Sequence, residues 1–452
     1  MCEKRQANLT LLLAIAGLGG LLYGVDFGVI AAAEPYMKAM GVMSDARISY
    51  IVGAVLLGGI LSSLTAGMLA EWFGRKKMIV ASAAMFLVAI PIVSLSPESF
   101  YVLYAGRVLQ GMSAGYMAVI MPMYLTETLP ADIRGRGTGV FQFCLGFGLV
   151  VAAGAGCIIA TIFGASDTAD ATGRASAWAA NFWWTMVPVA VLFFASLKLP
   201  ESPVWKKKRE EGRGEREKTR GTGEACGTGE VGLRTLLRRR YVVPFLLAVA
   251  VLTLNKTTGM SSFTSYLVSI LHSAGFEGIF ANWGQLAVKL TNMLVTIAAA
   301  ALVDRKGRTW LLKVGTGGMT VGLAAIGSVF LAIERFGVQA NNFTGLLAML
   351  AFFFMQVFYA LGPGLCVWLV LSELMPLRIR ANGMAIALFM NQFVAWGLAS
   401  SFRQWVAAWG WSSMFFFFAA NGVLYFIVAL FIPETKGKTL EELEHLFDRK
   451  RS

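Results

Sequence analysis

The chain has 452 residues, of which 57% are hydrophobic and 14% are charged, and its mean hydropathy is +0.65. Soluble domains average roughly 45–50% apolar and 25% charged residues, so this composition excludes a soluble globular protein and indicates one that crosses a membrane many times. The formal net charge of +13 at pH 7 comes mostly from loops between apolar segments, which argues against a nucleic-acid-binding protein.

Apolar segments long enough to cross a bilayer recur along the whole chain. A spanning helix needs about 20 predominantly apolar residues. Twelve segments meet this condition, at residues 9–36, 48–70, 78–97, 99–126, 138–163, 180–199, 241–271, 281–303, 310–333, 344–372, 382–402 and 410–432. The sequence therefore predicts an all-α membrane protein with twelve transmembrane helices.

The basic residues are distributed unevenly between the two sides of these segments. Most of the 39 Lys and Arg residues lie in the termini and in the loops that follow even-numbered segments. The opposite loops hold Lys38, Arg47, Arg174, Arg335 and Arg403. Because basic loops stay in the cytoplasm, we expect a multi-pass protein of the cell membrane (plasma or inner) with both termini cytoplasmic. We call the end that carries the termini the inner end and the opposite end the outer end.

The two halves of the chain repeat the same motifs in the same order. The motif "MYLTETLPADIRGRG" (123–137) matches "LVLSELMPLRIRANG" (369–383), and "LPESP" (199–203) matches "IPETK" (432–436). The repeat predicts two pseudo-two-fold-related six-helix bundles, at 1–200 and 241–433, joined by a charged linker at 201–240 and followed by a tail at 434–452. Parallel repeats of this kind place a substrate site near the bilayer midplane between the bundles.

Acidic and basic residues recur at the inner ends of both halves. "GMLAEWFGRKK" (67–77) and "AALVDRKGRTW" (300–310) each carry an acid three residues before Gly-Arg. We expect a cytoplasmic gate, a charge network that holds the halves together when the inner mouth closes and separates when it opens. The alternative is that these charges only set topology. The predicted gate residues are Arg75, Glu127, Arg134, Arg308, Glu373 and Arg380.

Five motifs together resemble the sugar porter family of the major facilitator superfamily, over nearly the full length of the chain. They are "GGLLYGVDFGVI" (19–30), "GRVLQGMSAGYMAVIMPMYLTETLPADIR" (106–134), "PESPVW" (200–205), "GPGLCVW" (362–368) and "PETKG" (433–437). The resemblance implies the twelve-helix fold of that superfamily and a secondary transporter that imports a sugar or related solute through alternating access.

Asp26 lies in the first predicted span, at the position where the resemblance implies the proton-linked carboxylate of the family's symporters. An ionised carboxylate in a span is costly unless a cation pairs with it or it takes up a proton. Arg107, in the fourth span of the same half, is the expected partner. Proton binding at Asp26 would release Arg107, so we expect proton symport. The alternative is a permanent structural ion pair.

The resemblance also implies contacts to the sugar in four spans. Gln142 falls at the family's fifth-span glutamine, Asn292 at its eighth-span asparagine and Asn391 at its eleventh-span asparagine. Amides suit this role because they offer hydroxyl groups both a donor and an acceptor. Trp368 falls at the tenth-span tryptophan that packs against the sugar ring.

The chain departs from the family pattern in its seventh span. The family's double glutamine falls on Asn255 and Lys256, and its following asparagine falls on Ser261, so an ammonium group stands where a sugar would receive an amide. A second lysine, Lys289, shares a helix face with the implied eighth-span asparagine. Gln392 stands where a tryptophan is usual.

Two substrate classes follow from these lysines. If no carboxylate of the protein pairs with them, the substrate supplies the negative charge, which predicts an acidic sugar derivative such as a uronate, an aldonate or a quinate-like compound. The alternative is a neutral hexose, pentose or polyol, with Lys256 pairing transiently with Asp26 and Lys289 reaching water.

Other classes of function are less favoured. A nutrient sensor of the same fold would bind without transport, but Asp26 and Arg107 are intact and the tail is short. The sequence shows no nucleophile, dyad or metal-ligand spacing, so we expect neither an enzyme nor a cofactor or metal site. The expected partners are the small-molecule substrate, the proton and the bilayer, without nucleic acid. A monomer is expected, because the transport path lies within one chain.

Overall fold

A computed structural model describes residues 2–129, 134–207, 209–210, 239–374 and 380–434, and its regular structure in these ranges is helical. The helices, numbered as spans in chain order, are span 1 Cys2–Met40, span 2 Asp45–Phe73, span 3 Arg75–Leu95, span 4 Phe100–Thr128, span 5 Arg134–Phe163, span 6 Ala171–Trp183 with Met186–Leu197, span 7 Arg239–Thr257 with Met260–Ser273, span 8 Phe280–Lys306, span 9 Arg308–Arg335, span 10 Asn342–Leu361 with Pro363–Leu374, and spans 11 and 12 within Arg380–Leu430.

The number of spans agrees with the sequence. In the described ranges, eleven helical segments are long and apolar enough to cross a membrane, and the last, Ile386–Leu430, has 45 residues. Gly410 interrupts it with φ 80° and ψ 166°, in the left-handed region that favours glycine. The Glu334 carboxylate accepts hydrogen bonds from the backbone N–H groups of Trp411 (2.6 Å) and Ser412 (3.1 Å), which caps the helix after the break. This segment therefore forms two spans, and the fold has twelve.

Span 6 begins earlier than hydropathy predicts, at Ala171 rather than near residue 180. Its first turns contain Gly173 and Arg174, whose polarity hides the start of the helix in a hydropathy profile. The Asp170 side chain accepts a hydrogen bond from the Gly173 N–H at 2.7 Å and so acts as the N-cap.

Spans 7 and 10 are broken near their middle. Span 7 breaks at Gly259, where φ is 84° and an added Cβ would lie 2.9 Å from the Phe418 ring. Span 10 breaks at Gly362, and the Asn255 side-chain amide of span 7 donates to the Pro363 carbonyl of span 10 at 3.3 Å. Broken helices near the midplane are typical of transporter binding sites.

The predicted repeat is visible in the backbone. Gly74 precedes span 3 with φ 99° and ψ 158°, and Gly307 precedes span 9 with φ 93° and ψ 158°. Glu201 and Glu434 accept hydrogen bonds from the first backbone N–H groups of these spans, at 3.0–3.2 Å. An added Cβ would lie 2.4 Å from a Glu201 oxygen at Gly74, and 2.7 Å from a Glu434 oxygen at Gly307. Both halves thus use the same glycine and the same carboxylate cap.

The two halves meet mainly along three pairs of spans: 1 with 7, 2 with 11, and 5 with 8. Spans 3, 4, 6, 9 and 12 pack within their own half. This arrangement leaves a space at the midplane that spans from both halves surround.

Candidate substrate cavity and coupling site

A cavity of about 270 Å³ lies between the two halves. Spans 1, 2 and 5 of the first half and spans 7, 8, 10 and 11 of the second form its wall. Small-molecule sites typically enclose about 300–1,000 Å³, so this cavity suits a small solute. The predicted substrate residues that line it are Gln142, Lys256, Ser261, Lys289, Asn292, Trp368 and Gln392.

Two predicted substrate residues do not line the cavity. Asn255 is 5% exposed and bonds to the Pro363 carbonyl, and Asn391 is 2% exposed, with a side-chain oxygen that makes no hydrogen bond. Each precedes a lining residue, Lys256 or Gln392, by one position. Because successive helical side chains are rotated by about 100°, Asn255 and Asn391 point in a different direction from Lys256 and Gln392.

The two lysines face the same cavity from adjacent spans. Lys256 lies just before the break in span 7, and its Nζ is 3.4 Å from the hydroxyl of Ser261, just after the break. Lys289 in span 8 is 5% exposed and lines the same wall. The described lining residues include no Asp or Glu. The cavity wall is therefore positively charged.

An amide pair beside these lysines was not predicted from the sequence. Gln356, in span 10, donates a side-chain hydrogen bond to the Asn292 side-chain oxygen at 2.7 Å and is itself 4% exposed. Both residues line the cavity. Gln356 lies in the run "AFFFMQVFYA", and a lone amide in an apolar span is a signal that could have identified it.

Aromatic rings form the rest of the wall. Trp368 is 47% exposed where it borders the cavity. From the first half, Tyr23 and Phe27 line the opposite side with ring centroids 5.1 Å apart. Flat apolar surfaces beside amides suit a solute with CH faces and hydroxyl groups.

Asp26 and Arg107 form a buried ion pair in the first half. The Asp26 Oδ1 and Arg107 Nη1 atoms are 3.6 Å apart, and the residues are 2% and 1% exposed. Neither Asp26 oxygen accepts a hydrogen bond. Arg107 also donates to the Gln110 side chain at 2.8 Å, and its guanidinium lies 5.8 Å from the Phe182 ring centroid. Protonation of Asp26 would remove the negative partner of Arg107 in this pair.

At the inner end, the first half holds the predicted pair of Arg75 and Glu127. The Glu127 Oε1 accepts hydrogen bonds from Arg75 Nη2 at 2.9 Å and from Nε at 3.2 Å. The Ser202 hydroxyl donates to the other carboxylate oxygen at 2.5 Å. These contacts link spans 3 and 4 with the segment after span 6, all within one half.

The rest of the predicted gate is only partly visible. The Arg308 backbone N–H donates to the Glu434 carboxylate at 3.1 Å. Three predicted gate side chains lie outside the described part of the chain: Arg134, Glu373 and Arg380.

Comparisons with known proteins identify the family. The chain matches the model for "Sugar (and other) transporter" over residues 12–447. It belongs to this family. The match confirms the sugar porter prediction made from the sequence motifs.

Individual relatives match this chain over nearly its full length. It is 31% identical to the putative metabolite transport protein YwtG of Bacillus subtilis, over 98% of this chain and 95% of that protein. It is 28% identical to the galactose-proton symporter of Escherichia coli K12, over 95% of this chain and 92% of that protein. A crystal structure of a D-xylose-proton symporter superposes with a TM-score of 0.78 at 22% identity, covering 95% of this chain and 99% of that one. The twelve-helix major facilitator fold is thereby confirmed.

Proposed function

We propose that this protein imports a sugar-sized solute that carries a carboxylate, by proton symport through alternating access. The observation that carries the proposal is the pair of ammonium groups, Lys256 and Lys289, that face one cavity without a described carboxylate in its wall. The amides and aromatic rings around them suit a polyhydroxylated solute.

The proton-coupling part rests on Asp26 and Arg107. A carboxylate buried beside a guanidinium, without a hydrogen-bond donor of its own, can change charge in each cycle and so change the interactions of its partner. Relatives named galactose-proton symporter and arabinose-proton symporter support the same coupling here.

The carboxylate part rests on the cost of unpaired charge. Insertion scales put a lysine at a helix centre at about 2.5–3.5 kcal/mol, and this protein places two at one cavity. A substrate carboxylate would offset that cost, since a hydrogen bond to a charged group contributes about 1.5–3 kcal/mol. Gln142, Asn292 and Gln392 would then bind hydroxyl groups, and Trp368 would stack on the solute.

A neutral sugar is the second candidate. The named substrates of its relatives favour it, since they include galactose, arabinose and D-xylose. Under this alternative, Lys256 pairs transiently with Asp26 and Lys289 reaches water, and replacing the two lysines leaves recognition of the sugar largely intact.

The test is proton-driven uptake into proteoliposomes of a neutral hexose and its matching uronate. It uses wild type, Lys256→Gln, and Lys38→Gln, which makes the same change at an exposed residue at the end of span 1. The proposal predicts that wild type and Lys38→Gln concentrate the uronate and that Lys256→Gln loses this uptake. Hexose uptake with the uronate ignored would replace the proposal with the neutral candidate.

The remaining sequence predictions are part of the same proposal. Bundles at 1–200 and 241–433 would move against each other around the cavity, in a monomer of the cell membrane with cytoplasmic termini. Arg75 and Glu127 would belong to the cytoplasmic gate together with the predicted residues of the second half. Asn255 and Asn391 would not contact the substrate, because they do not line the cavity.

A further inference from the structure

A cluster of buried charges joins the two halves at the outer end. Glu34, in span 1, contacts the guanidinium of Arg403, in span 11, through an ion pair. The two residues are 0% and 5% exposed. Asp45, at the start of span 2, places a second carboxylate oxygen 3.1 Å from Arg403 Nη1. We call Glu34, Asp45 and Arg403 the outer charge cluster, in which one guanidinium of the second half meets two carboxylates of the first.

Hydroxyl and aromatic groups surround the cluster. The Ser269 hydroxyl, in span 7, donates to Glu34 at 2.5 Å and accepts from Arg403 at 3.1 Å. The Arg403 backbone N–H donates to the Ser49 hydroxyl at 3.2 Å, and its guanidinium carbon lies 5.6 Å from the Tyr266 ring centroid. Spans 1, 2, 7 and 11 therefore converge on this one guanidinium.

Side chains of the two halves pack against each other between the cluster and the cavity. Leu56 of span 2 packs against Ala395 and Ala399 of span 11. Leu56 also lines the cavity, so this packing lies at the side of the cavity that faces the outer charge cluster. In the outer loops, the Asp167 carboxylate accepts a hydrogen bond from the Gly278 N–H at 2.8 Å, which adds a second contact between the halves.

At the inner end, the contacts between described residues that were reported above lie within one half. The Arg75–Glu127 pair stays within the first half, and Glu434 caps a helix within its own half. Among the described side chains, the ion pairs that cross between the halves are those of Arg403 with Glu34 and with Asp45. Between described residues, charge pairs that join the halves therefore lie at the outer end.

We propose that the outer charge cluster is the outer gate of this transporter, formed when the cavity is shut to the outside and separated when the outer end opens. The inference rests on the alternating access proposed above. Burying an ion pair costs hydration free energy, and this cost can equal or exceed the attraction between the two charges. Such a pair can therefore form and separate within one transport cycle. The residues of the outer charge cluster contact neither the cavity nor Asp26, and they act as positioning residues for the two halves.

Removal of one partner should open the outer end. Glu34→Gln leaves the Arg403 guanidinium buried with less negative charge, and water hydrates that group better in the open state. The population therefore shifts toward the outward-open state. Glu34→Asp keeps the charge and should stay close to wild type.

The test measures access to the cavity from outside. A reporter, Leu56→Cys, is placed in a background without the five native cysteines and is labelled with a membrane-impermeant maleimide in right-side-out and inside-out vesicles. Glu34→Gln and Arg403→Gln should each raise the labelling rate from the outer face by at least about threefold, and Ser269→Ala by less. Glu334→Gln is the matched control, because it makes the same change at an outer-end carboxylate whose hydrogen bonds lie within the second half, and it should not raise labelling.

Unchanged labelling in folded Glu34→Gln and Ser269→Ala would overturn the proposal, as would an equal rise in Glu334→Gln. Gel filtration shows whether each variant is folded. Ser269→Ala retains every charge of the cluster, so it tests the gate even if Glu34→Gln does not fold. Labelling requires no transport. If the wild type transports no sugar or sugar acid, the proposed function is wrong. If the wild type transports such a solute and the gate variants leave the labelling rate unchanged, only the gate proposal is wrong.

Discussion

The two halves of this protein treat buried charge in opposite ways. In the first half, Asp26 and Arg107 lie 3.6 Å apart and balance each other inside one bundle. In the second half, Lys256 and Lys289 face the cavity with no described acid in its wall. A charge that is balanced within its own bundle suits an internal switch, whereas an unbalanced charge at a cavity suits a ligand. Under the proposed function, proton coupling would belong to the first half and recognition of the solute's charge to the second.

The largest effect should come from neutralising the first-half carboxylate. Asp26→Asn fixes the group in a state like its protonated one, so it should abolish proton-driven accumulation while exchange of solute across the membrane continues. The measurement is uptake with an imposed proton gradient beside counterflow without one. Accumulation by Asp26→Asn equal to that of wild type would show that this half does not couple the proton.

A smaller effect is expected from neutralising one lysine of the second half. Lys289→Gln removes a hydrogen bond to a charged group worth about 1.5–3 kcal/mol, which raises the KM for a uronate roughly tenfold to a hundredfold. The KM for the matching hexose should change much less. Initial uptake rates over a range of concentrations give both values, with Lys38→Gln as the control. An equal change for both solutes would contradict recognition of charge by this half.

A third prediction concerns neutral recognition beside the lysines. Gln356→Leu removes the 2.7 Å hydrogen bond that holds Asn292. A net hydrogen bond is worth about 0.5–1.5 kcal/mol, so KM should rise roughly twofold to tenfold for uronate and hexose alike. Met355→Leu, at a neighbouring buried residue, is the control. A loss of uronate uptake without a loss of hexose uptake would show that Gln356 also contributes to recognition of the carboxylate.

The smallest effect tests what the halves share. Glu201→Gln and Glu434→Gln weaken equivalent caps on spans 3 and 9, and cap losses cost about 0.5–2 kcal/mol. Both variants should lower the Tm of the purified protein by a similar small amount. Glu98→Gln changes an exposed loop residue and should leave Tm unaltered. A fall in only one variant would mean that the two caps are not equivalent.

The fold was predictable because its signals are local or repeated. Hydropathy locates most spans, and the matching motifs divide the chain into halves. The start of span 6 was missed because its first turns are polar, and Asp170 caps a helix that hydropathy does not detect. Spans 11 and 12 form one continuous segment apart from Gly410, so their separation depends on one backbone conformation.

The site was predictable where a residue faces the cavity on its own helix. Lys256 and Gln392 line the cavity, while their neighbours Asn255 and Asn391 do not, because each neighbour is rotated by about 100° around its helix. The contact between Glu34 and Arg403 could not be predicted. Hydropathy ends span 11 before Arg403 and assigns that residue to a loop, and no sequence pattern relates two single residues in different halves.

The most direct test of the division between the halves is binding of a uronate, measured by calorimetry, to the purified wild type, Asp26→Asn and the double variant Lys256→Gln/Lys289→Gln. We predict that Asp26→Asn binds the uronate nearly as well as wild type, although this variant cannot accumulate the uronate. The double variant should lose binding by roughly a hundredfold or more, since two charged contacts are removed. Retained uronate affinity in the double variant, or a wild type that binds the hexose and not the uronate, would contradict this division between the halves.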